Sequence, residues 1–166
     1  MAIEIERKFL VTGETWRDEA DDGTPIRQAY LANGAGASVR VRCAANRAWI
    51  TVKGEREGIA RPEYEYEIPP ADADAMLASL CTGPILQKTR YRVLRDDLIW
   101  EVDLFEGAAA GLIVAEVELT SIDQTIILPE WIGDEVTEDR RYRNAAIARD
   151  GPPLPDTIAE ADQAAS

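Results

Sequence analysis

Residues 3–11 of the chain, IEIERKFLV, alternate between apolar and charged side chains. Successive side chains of a β-strand point to opposite faces, so this period of two predicts a strand with one apolar and one charged face. Glu4, Glu6 and Lys8 share the charged face, whereas Ile5 lies on the other. The stretch therefore predicts the first strand of a sheet whose second face is strongly charged.

The same alternation recurs along the chain and predicts eight short strands. A helix is predicted over 71–80, directly after Pro69 and Pro70, and a second short helix near 140–149. Segment 129–133 is predicted to be irregular. Eight strands with one helix in mid-chain predict an α+β domain built on an antiparallel sheet or a closed barrel, with a few surrounding helices. The predicted strands cover residues 3–11, 26–32, 38–43, 48–53, 63–68, 86–95, 98–105 and 112–119.

The charged faces of these strands are segregated by sign, which distinguishes them from an ordinary solvated face. A solvated face mixes small polar and charged residues and places opposite charges across from each other. Like charges stacked on one face repel, so the arrangement costs stability unless a multivalent ligand lies between them. A barrel lined by both signs suits a polyphosphate bound as its metal complex, since guanidinium and ammonium groups bind phosphate oxygens and carboxylates bind the metal. The cations are Lys8, Arg40, Arg42, Lys53, Lys88, Arg90 and Arg92, and the acids are Glu4, Glu6, Glu63, Glu65, Glu67, Glu101, Asp103, Glu116 and Glu118.

The overall composition excludes several classes of partner and of chemistry. The 166 residues suffice for about one domain and carry 31 acidic and 18 basic side chains, a net charge of −13, so no nucleic acid or membrane partner is expected. Histidine is absent, which excludes Ser-His-Asp and Cys-His catalysis and leaves a hard cation on carboxylates as the expected metal. The first residues lack the apolar core of a signal peptide, and Cys43 and Cys81 have no metal-site spacing, so a cytoplasmic location is expected.

The chain resembles the CYTH superfamily, the triphosphate tunnel metalloenzymes. Residues 4–8, EIERK, match the E-x-E-x-K signature of that family, and further matches continue in order from residue 3 to about residue 148. The resemblance implies an eight-stranded antiparallel barrel around a tunnel, formed by residues 1–150. It leaves the tail 151–166 either as a plug helix across one tunnel mouth or as a frayed end. The further matches are QAYL at 28–31, VRVR at 39–42, TVKG at 51–54, EYE at 63–65, KTRY at 88–91, EVD at 101–103, EVE at 116–118 and EVTEDRRYRN at 135–144.

The resemblance also implies metal-dependent attack on a triphosphate and assigns roles to individual residues. The expected metal is Mg²⁺ or Mn²⁺. Glu63 and Glu65 are expected either to hold a second metal or to orient the cations, and the sequence leaves both roles open. The implied metal ligands are Glu4, Glu6, Glu116 and Glu118, with Asp103 as an addition, and the implied phosphate-binding cations are Lys8, Arg40, Arg42, Lys53, Lys88 and Arg90.

Lys8 and Tyr30 are the candidates for activating water, since the chain has no histidine. In short members of the family a Lys–Tyr pair of this kind is thought to do so. An ammonium beside Tyr30 is expected to lower the pKa of its hydroxyl from the usual value of about 10, which predicts an alkaline activity optimum. The alternative is that Tyr30 only packs at a sheet edge.

Inorganic tripolyphosphate is the expected substrate, because a short chain without histidine is most similar to the inorganic triphosphatases of the family. A thiamine triphosphatase or a class IV-type adenylate cyclase is the alternative and would require an aromatic ring in the tunnel. Trp49 shares the face of Lys53 and is the candidate for that ring, whereas Trp100 lies on the apolar face and is expected in the core. A non-catalytic protein that binds polyphosphate or nucleotides is less favoured, since it gains nothing from inward carboxylates. A homodimer is left open, because family members often dimerise.

Overall fold

The computed structural model describes residues 2–153, so most of the tail predicted over 151–166 lies outside the described residues. Strands β1 to β8 form a closed antiparallel barrel, which confirms the predicted fold. The helices are α1 (Pro70–Ser79) and α2 (Asn144–Asp150). The strands are β1 (Ile3–Val11), β2 (Thr24–Asn33), β3 (Ala37–Ala44), β4 (Arg47–Gly54), β5 (Ala60–Ile68), β6 (Leu86–Arg95), β7 (Leu98–Phe105), β8 (Ile113–Glu118) and β9 (Ile132–Glu135).

Strand β1 closes the barrel and has two different neighbours along one of its edges. The strand order is β5-β4-β3-β2-β6-β7-β8-β1, and the first residues of β1 return to β5, with Ile5 opposite Ala60. Further along β1, Val11 instead lies opposite Ile132 of β9. Along β1, β9 therefore replaces β5, and we call the place of this replacement the β5–β9 seam.

The ninth strand corrects the prediction that segment 129–133 is irregular. β9 has only four residues and no alternation of apolar and polar side chains, so the pattern of its own sequence does not mark it. Pairing with β1 holds β9 in place. The backbone of β9 passes close to the end of β1, since a Cβ on Gly133 would lie 2.9 Å from the Thr12 Cγ2 atom. Tertiary pairing rather than local preference makes this strand.

The apolar faces of the strands pack outward against two separate covers. Helix α1 lies on β2, β3 and β4, where Leu77 joins the buried Val41. On the other side of the barrel, Trp100 contacts Trp131, with ring centroids 5.7 Å apart, and belongs to a cluster that includes Trp16. Trp100 is fully buried, so its predicted core position is confirmed.

One end of the barrel is filled by an apolar cluster that includes Leu86, Phe105, Val114 and Ile147 of α2. The first three side chains point inward, because each is two residues from an inward charged residue on its strand. The charged residues therefore face a cavity that opens toward the other end of the barrel.

The predicted helix over 140–149 is divided in two. Residues Arg140–Tyr142 form a single 3₁₀ turn, Arg143 is extended with φ −73° and ψ 139°, and α2 follows. The extended residue breaks the helical path at Arg143. Within residues 2–153, no helix is both long enough and apolar enough to span a membrane.

Candidate active site

The open end of the barrel encloses a cavity of about 1020 Å³ whose walls are mostly charged. Strand alternation positions the side chains, since every second residue of a strand points inward. The predicted site residues that line the cavity are Glu4, Glu6, Lys8, Tyr30, Arg40, Arg42, Lys53, Glu63, Glu65, Arg90, Glu116 and Glu118.

Asp103, Lys88 and Glu67 do not line the cavity, which corrects their expected position on its charged face. Asp103 and Lys88 are almost fully buried beneath the cavity floor. Glu67 is exposed and pairs with Arg47 at 2.6 Å, away from the cavity lining. Alternation identified the inward direction of Asp103 and Lys88 correctly, but it does not indicate how far along the barrel the solvent-filled part extends.

The wall formed by β1 and β8 brings carboxylates together. Their register places Glu6 opposite Glu118 and Lys8 opposite Glu116. Burial raises the pKa of Glu6 to about 7, with repulsion from Glu116 and Glu4 adding to the shift and Lys8 opposing it. Burial and repulsion from Glu4 also raise the pKa of Glu118. The ionised forms of Glu6 and Glu118 are therefore disfavoured in the free protein.

Glu4 lies on the same wall but is neutralised by two cations. Its Oε1 atom lies 2.8 Å from Lys53 Nζ, and its Oε2 atom lies 2.6 Å from Arg61 Nε. Burial acts to raise the pKa of Glu4, but these two ion pairs outweigh it and lower the pKa overall.

Glu116 is held between Lys8 and Arg90. Lys8 Nζ lies 2.8 Å from Glu116 Oε1, and Arg90 Nη2 lies 2.9 Å from Glu116 Oε2. Burial acts to raise the pKa of Glu116, but Lys8, Arg90 and Lys88 lower it well below its usual range. The Lys8 ammonium also donates to the Tyr142 carbonyl oxygen at 3.3 Å.

Beneath the floor of the cavity, Asp103 joins Arg90 and Lys88. Arg90 donates to both Asp103 oxygens at 2.7 Å, and Lys88 Nζ lies 2.5 Å from Asp103 Oδ2. Burial lowers the pKa of Lys88 to about 8 even though Asp103 opposes the shift. We call Lys88, Arg90 and Asp103 the floor cluster.

The opposite wall of the cavity presents the arginines of β3. Glu65 Oε1 accepts from Arg42 Nη2 at 3.0 Å, and Thr51 Oγ1 joins Arg40 Nη2 to Glu65 Oε2 at 3.2 and 2.8 Å. The Nε donors of both arginines are buried without a hydrogen-bond partner in the described chain. Burial and the nearby Arg40 lower the pKa of Arg42. This wall therefore offers free donors to an anion.

Tyr30 lies on the cavity wall, but the expectation that Lys8 lowers its pKa is wrong. Burial raises the pKa of Tyr30, and the opposing influence of Arg40 and Lys8 is smaller. Within residues 2–153, the ammonium of Lys8 binds the Glu116 carboxylate and the Tyr142 carbonyl oxygen rather than the Tyr30 hydroxyl. The Tyr30 hydroxyl therefore stays protonated well into the alkaline range.

Several cavity residues were not predicted: Arg56, Arg61, Thr137, Arg140 and Arg143. Arg61 has the same parity as Glu63 and Glu65, so extending the alternation of β5 by two residues would have found it. The other four lie in loops or turns, where the sequence has no strand alternation from which the direction of a side chain could be predicted.

A divalent cation fits the donor chemistry of the β1–β8 wall. Among residues 2–153, no three Asp, Glu, His or Cys side chains lie close enough together to form a complete metal site. The reason is that Lys53 and Arg61 hold Glu4, and Lys8 and Arg90 hold Glu116. The buried, mutually repelling carboxylates nevertheless match the oxygen ligands that Mg²⁺ and Mn²⁺ prefer.

Comparison with known proteins agrees with this geometry. The family model described as CYTH domain matches residues 2–148. The chain belongs to the CYTH family. This match confirms the resemblance predicted from the sequence, and the barrel with its inward charges is the architecture that the resemblance implied.

Similar CYTH proteins include two that are named inorganic triphosphatase. The chain is 42% identical over 149 residues to the one from Acetivibrio thermocellus, with 90% of this chain and 95% of that protein covered. It is 40% identical over 149 residues to the one from Nitrosomonas europaea, with 87% and 96% covered.

Two solved structures illustrate how far the fold is shared. The crystal structure of the inorganic triphosphatase NE1496 matches with a TM-score of 0.63 and 36% identity, over 92% of this chain and 99% of that one. The putative adenylyl cyclase HpAC1 from Hippeastrum, described as having a dominant triphosphatase activity, matches with a TM-score of 0.57 and 14% identity, over 71% and 80%. At that identity the second likeness shows only the common barrel.

Proposed function

We propose that this CYTH protein is a metal-dependent triphosphatase and that inorganic tripolyphosphate is its substrate. The observation that carries the proposal is one cavity with crowded carboxylates on one wall and unpartnered guanidinium donors on another, near Arg40 and Arg42. A triphosphate bound with a divalent cation satisfies both walls at once. The names of the two relatives at 42% and 40% identity support the inorganic substrate.

The carboxylates Glu4, Glu6, Glu116 and Glu118 would hold Mg²⁺ or Mn²⁺. When bound, the metal supplies positive charge that orients the phosphates and stabilises the negative charge of phosphoryl transfer. We assign Asp103 a positioning role instead, because it is buried beneath the cavity floor, does not line the cavity and binds Arg90 and Lys88.

The phosphate oxygens would be bound by Arg40, Arg42, Lys53 and Arg90, which line the cavity. Lys88 would support Arg90 from below through Asp103 rather than touch the substrate.

Glu63 and Glu65 are best assigned to orienting the cations, the second of the two roles that the sequence left open. Glu65 binds Arg42 at 3.0 Å, and Glu63 Oε2 lies 2.6 Å from Lys53 Nζ. These contacts hold two of the cations that we assign to phosphate binding, which is the orienting role.

We further propose that Tyr30 and Lys8 act on the attacking water. The Tyr30 hydroxyl would accept its proton after ionising at alkaline pH, while Lys8 keeps a positive charge near the reacting phosphate. The raised pKa of Tyr30 makes its ionised form scarce at pH 7 but strongly basic.

A triphosphate with an organic group is the second candidate, and the cavity volume of about 1020 Å³ favours it, since three phosphates alone do not fill that space. Trp49 argues against this candidate. Its ring is outside the cavity lining and stacks against Arg42 and Arg47, whose guanidinium carbons lie 5.0 and 5.1 Å from the ring centroid.

The test is phosphate release from tripolyphosphate, ATP and thiamine triphosphate, each at pH 7 and pH 9 with Mg²⁺ or with EDTA. We expect fast, metal-dependent release from tripolyphosphate and little from the other two. Preferential turnover of ATP or thiamine triphosphate would move the function to the organic substrate, and no release from any of the three would contradict a triphosphatase.

A matched pair of variants ties the activity to the cavity. Glu118→Gln removes an inward carboxylate and should lower kcat/KM by on the order of a hundredfold. Glu67→Gln removes the same charge from an exposed residue that does not line the cavity and should leave the activity unchanged. Equal activities of the two variants would show that the β1–β8 wall does not take part.

A further inference from the structure

Three arginines meet at the β5–β9 seam, and the cations assigned to phosphate binding do not include them. Arg56 lies in the loop before β5, whereas Arg140 and Arg143 follow β9. All three line the cavity. We call them the seam arginines.

Backbone hydrogen bonds to β1 hold both segments that carry the seam arginines. Glu6 N donates to Ile59 O at 3.1 Å in the first segment, and Val136 N donates to Lys8 O at 2.8 Å in the second. The arginines therefore sit beside a fixed strand, on loops whose neighbouring backbone is anchored.

Two of the three seam arginines, Arg140 and Arg143, are not neutralised by a carboxylate of the described residues. Neither Arg140 nor Arg143 forms an ion pair in the part of the chain that the structure describes. Asp139 also borders the cavity, but its carboxylate is bound by Arg141, with Nη2 and Oδ2 2.7 Å apart. Among residues 2–153, Asp139 is thus engaged by Arg141 rather than by Arg140 or Arg143.

Arg56 is only loosely paired. Its Nη2 atom lies 3.6 Å from Glu6 Oε1, and its Nε donor is buried without a hydrogen-bond partner among the described residues. Burial lowers the pKa of Arg143, and repulsion from Arg56, Arg140 and Arg61 lowers it further, so these guanidinium groups are close enough to interact. Such a group repels itself unless an anion lies between its members.

We propose that the seam arginines form a second oxyanion site, which binds a phosphate group beside the main phosphate-binding cations. Planar guanidinium forks match the oxygens of a phosphate, and a chain with a net charge of −13 has few places that attract one. The phosphate group can be one end of the substrate or a free orthophosphate. The site itself does not depend on the proposed hydrolysis.

The test is calorimetric titration of the whole chain with sodium orthophosphate in EDTA at low salt. Arg140→Ser with Arg143→Ser should lose one phosphate-binding site or weaken it by about tenfold. The control Arg27→Ser with Arg149→Ser removes the same charge from exposed ion pairs with Asp74 and Asp150 and should titrate like the unchanged protein. Arg140→Lys with Arg143→Lys keeps the charge but loses the guanidinium forks, so it should restore only part of the binding.

Steady-state kinetics with tripolyphosphate and Mg²⁺ then distinguish the two sources of the phosphate group. If the site holds one end of the substrate, the serine double variant raises KM and leaves kcat within about twofold of the unchanged protein. If it holds free orthophosphate, KM stays constant and inhibition by added orthophosphate weakens. A serine double variant that titrates like its control would overturn the site, whether or not the chain hydrolyses tripolyphosphate. Should the double variant fail to fold, Arg143→Ser alone gives the same comparison.

Discussion

The floor cluster and the β1–β8 wall both contain buried charges. In the floor cluster these charges are paired, whereas on the wall two carboxylates are held where ionisation is unfavourable. In the floor cluster, Asp103 is bound by Arg90 and Lys88 at 2.5 to 2.7 Å. On the wall, Glu6 and Glu118 face each other, and their pKa values are raised. A neutralised cluster gives fixed positions, whereas a repelling one costs stability until a ligand arrives.

This contrast separates residues that hold the site in shape from residues that contact its ligands. Removing one member of the floor cluster leaves buried charges without a partner. Removing Glu6 or Glu118 from the wall relieves repulsion. The two kinds of variant should therefore shift the stability of the free protein in opposite directions, even if both lower activity.

The largest effect on stability is expected for Asp103→Asn. It leaves the buried ammonium of Lys88 without its carboxylate partner and removes one of the carboxylates that bind Arg90, which should lower the free energy of unfolding by about 3 to 5 kcal/mol. Urea unfolding measures the change. Glu67→Gln breaks an exposed ion pair and should leave the free energy of unfolding almost unchanged. Equal losses in the two variants would show that the floor cluster does not hold the site together.

The sequence predicted the barrel and most of the cavity because both depend on strand alternation. The bounds of β1, β6 and β7 agree with the prediction, and the inward residues of β1 and β8 line the cavity as expected. Alternation gives the direction of a side chain but not its depth, so it did not separate Asp103 beneath the floor from Glu116 on the wall.

The parts of the site that the sequence did not predict depend on contacts between distant segments. The seam arginines lie on loops, and β9 forms because it pairs with the edge of β1 that β5 leaves open. The pKa of Tyr30 was predicted in the wrong direction because the influence of Lys8 can be inferred from neighbouring strands, whereas the larger cost of burial follows only from the packed structure.

The next effect concerns the wall and its metal. Glu6 must lose its proton before its carboxylate can bind a cation, and its pKa is about 7. The apparent affinity for Mg²⁺ should therefore rise by about tenfold between pH 6 and pH 8, as the ionised fraction of one group with this pKa increases. Measuring the Mg²⁺ concentration for half-maximal activity at each pH tests this.

Glu6→Gln sharpens the contrast with the floor cluster. The variant should bind Mg²⁺ more weakly at every pH and lose most of the pH dependence, since the titrating group is gone. It should be at least as stable as the unchanged protein in the absence of metal, because a buried carboxylate repelled by Glu116 and Glu4 is removed. A large loss of stability would place Glu6 with the floor cluster instead.

The smallest effect at neutral pH is expected for Tyr30→Phe. Because burial raises the pKa of Tyr30 above its usual value of about 10, the hydroxyl is protonated at pH 7 and ionises only in the alkaline range. If its ionised form accepts the proton of water, kcat should rise with pH through pH 9. Tyr30→Phe should remove that rise while lowering kcat at pH 7 by less than about tenfold.

The titration of Lys88 affects how the pH dependence of Tyr30→Phe must be measured. Its pKa of about 8 means that the floor cluster loses positive charge over the same pH range, which should weaken phosphate binding and lower kcat/KM. The rise attributed to Tyr30 must therefore be measured as kcat at saturating substrate, where weaker binding no longer matters. Tyr64→Phe changes an exposed tyrosine and is the matched control. Parallel pH profiles for the two variants would mean that Tyr30 only packs against the cavity wall.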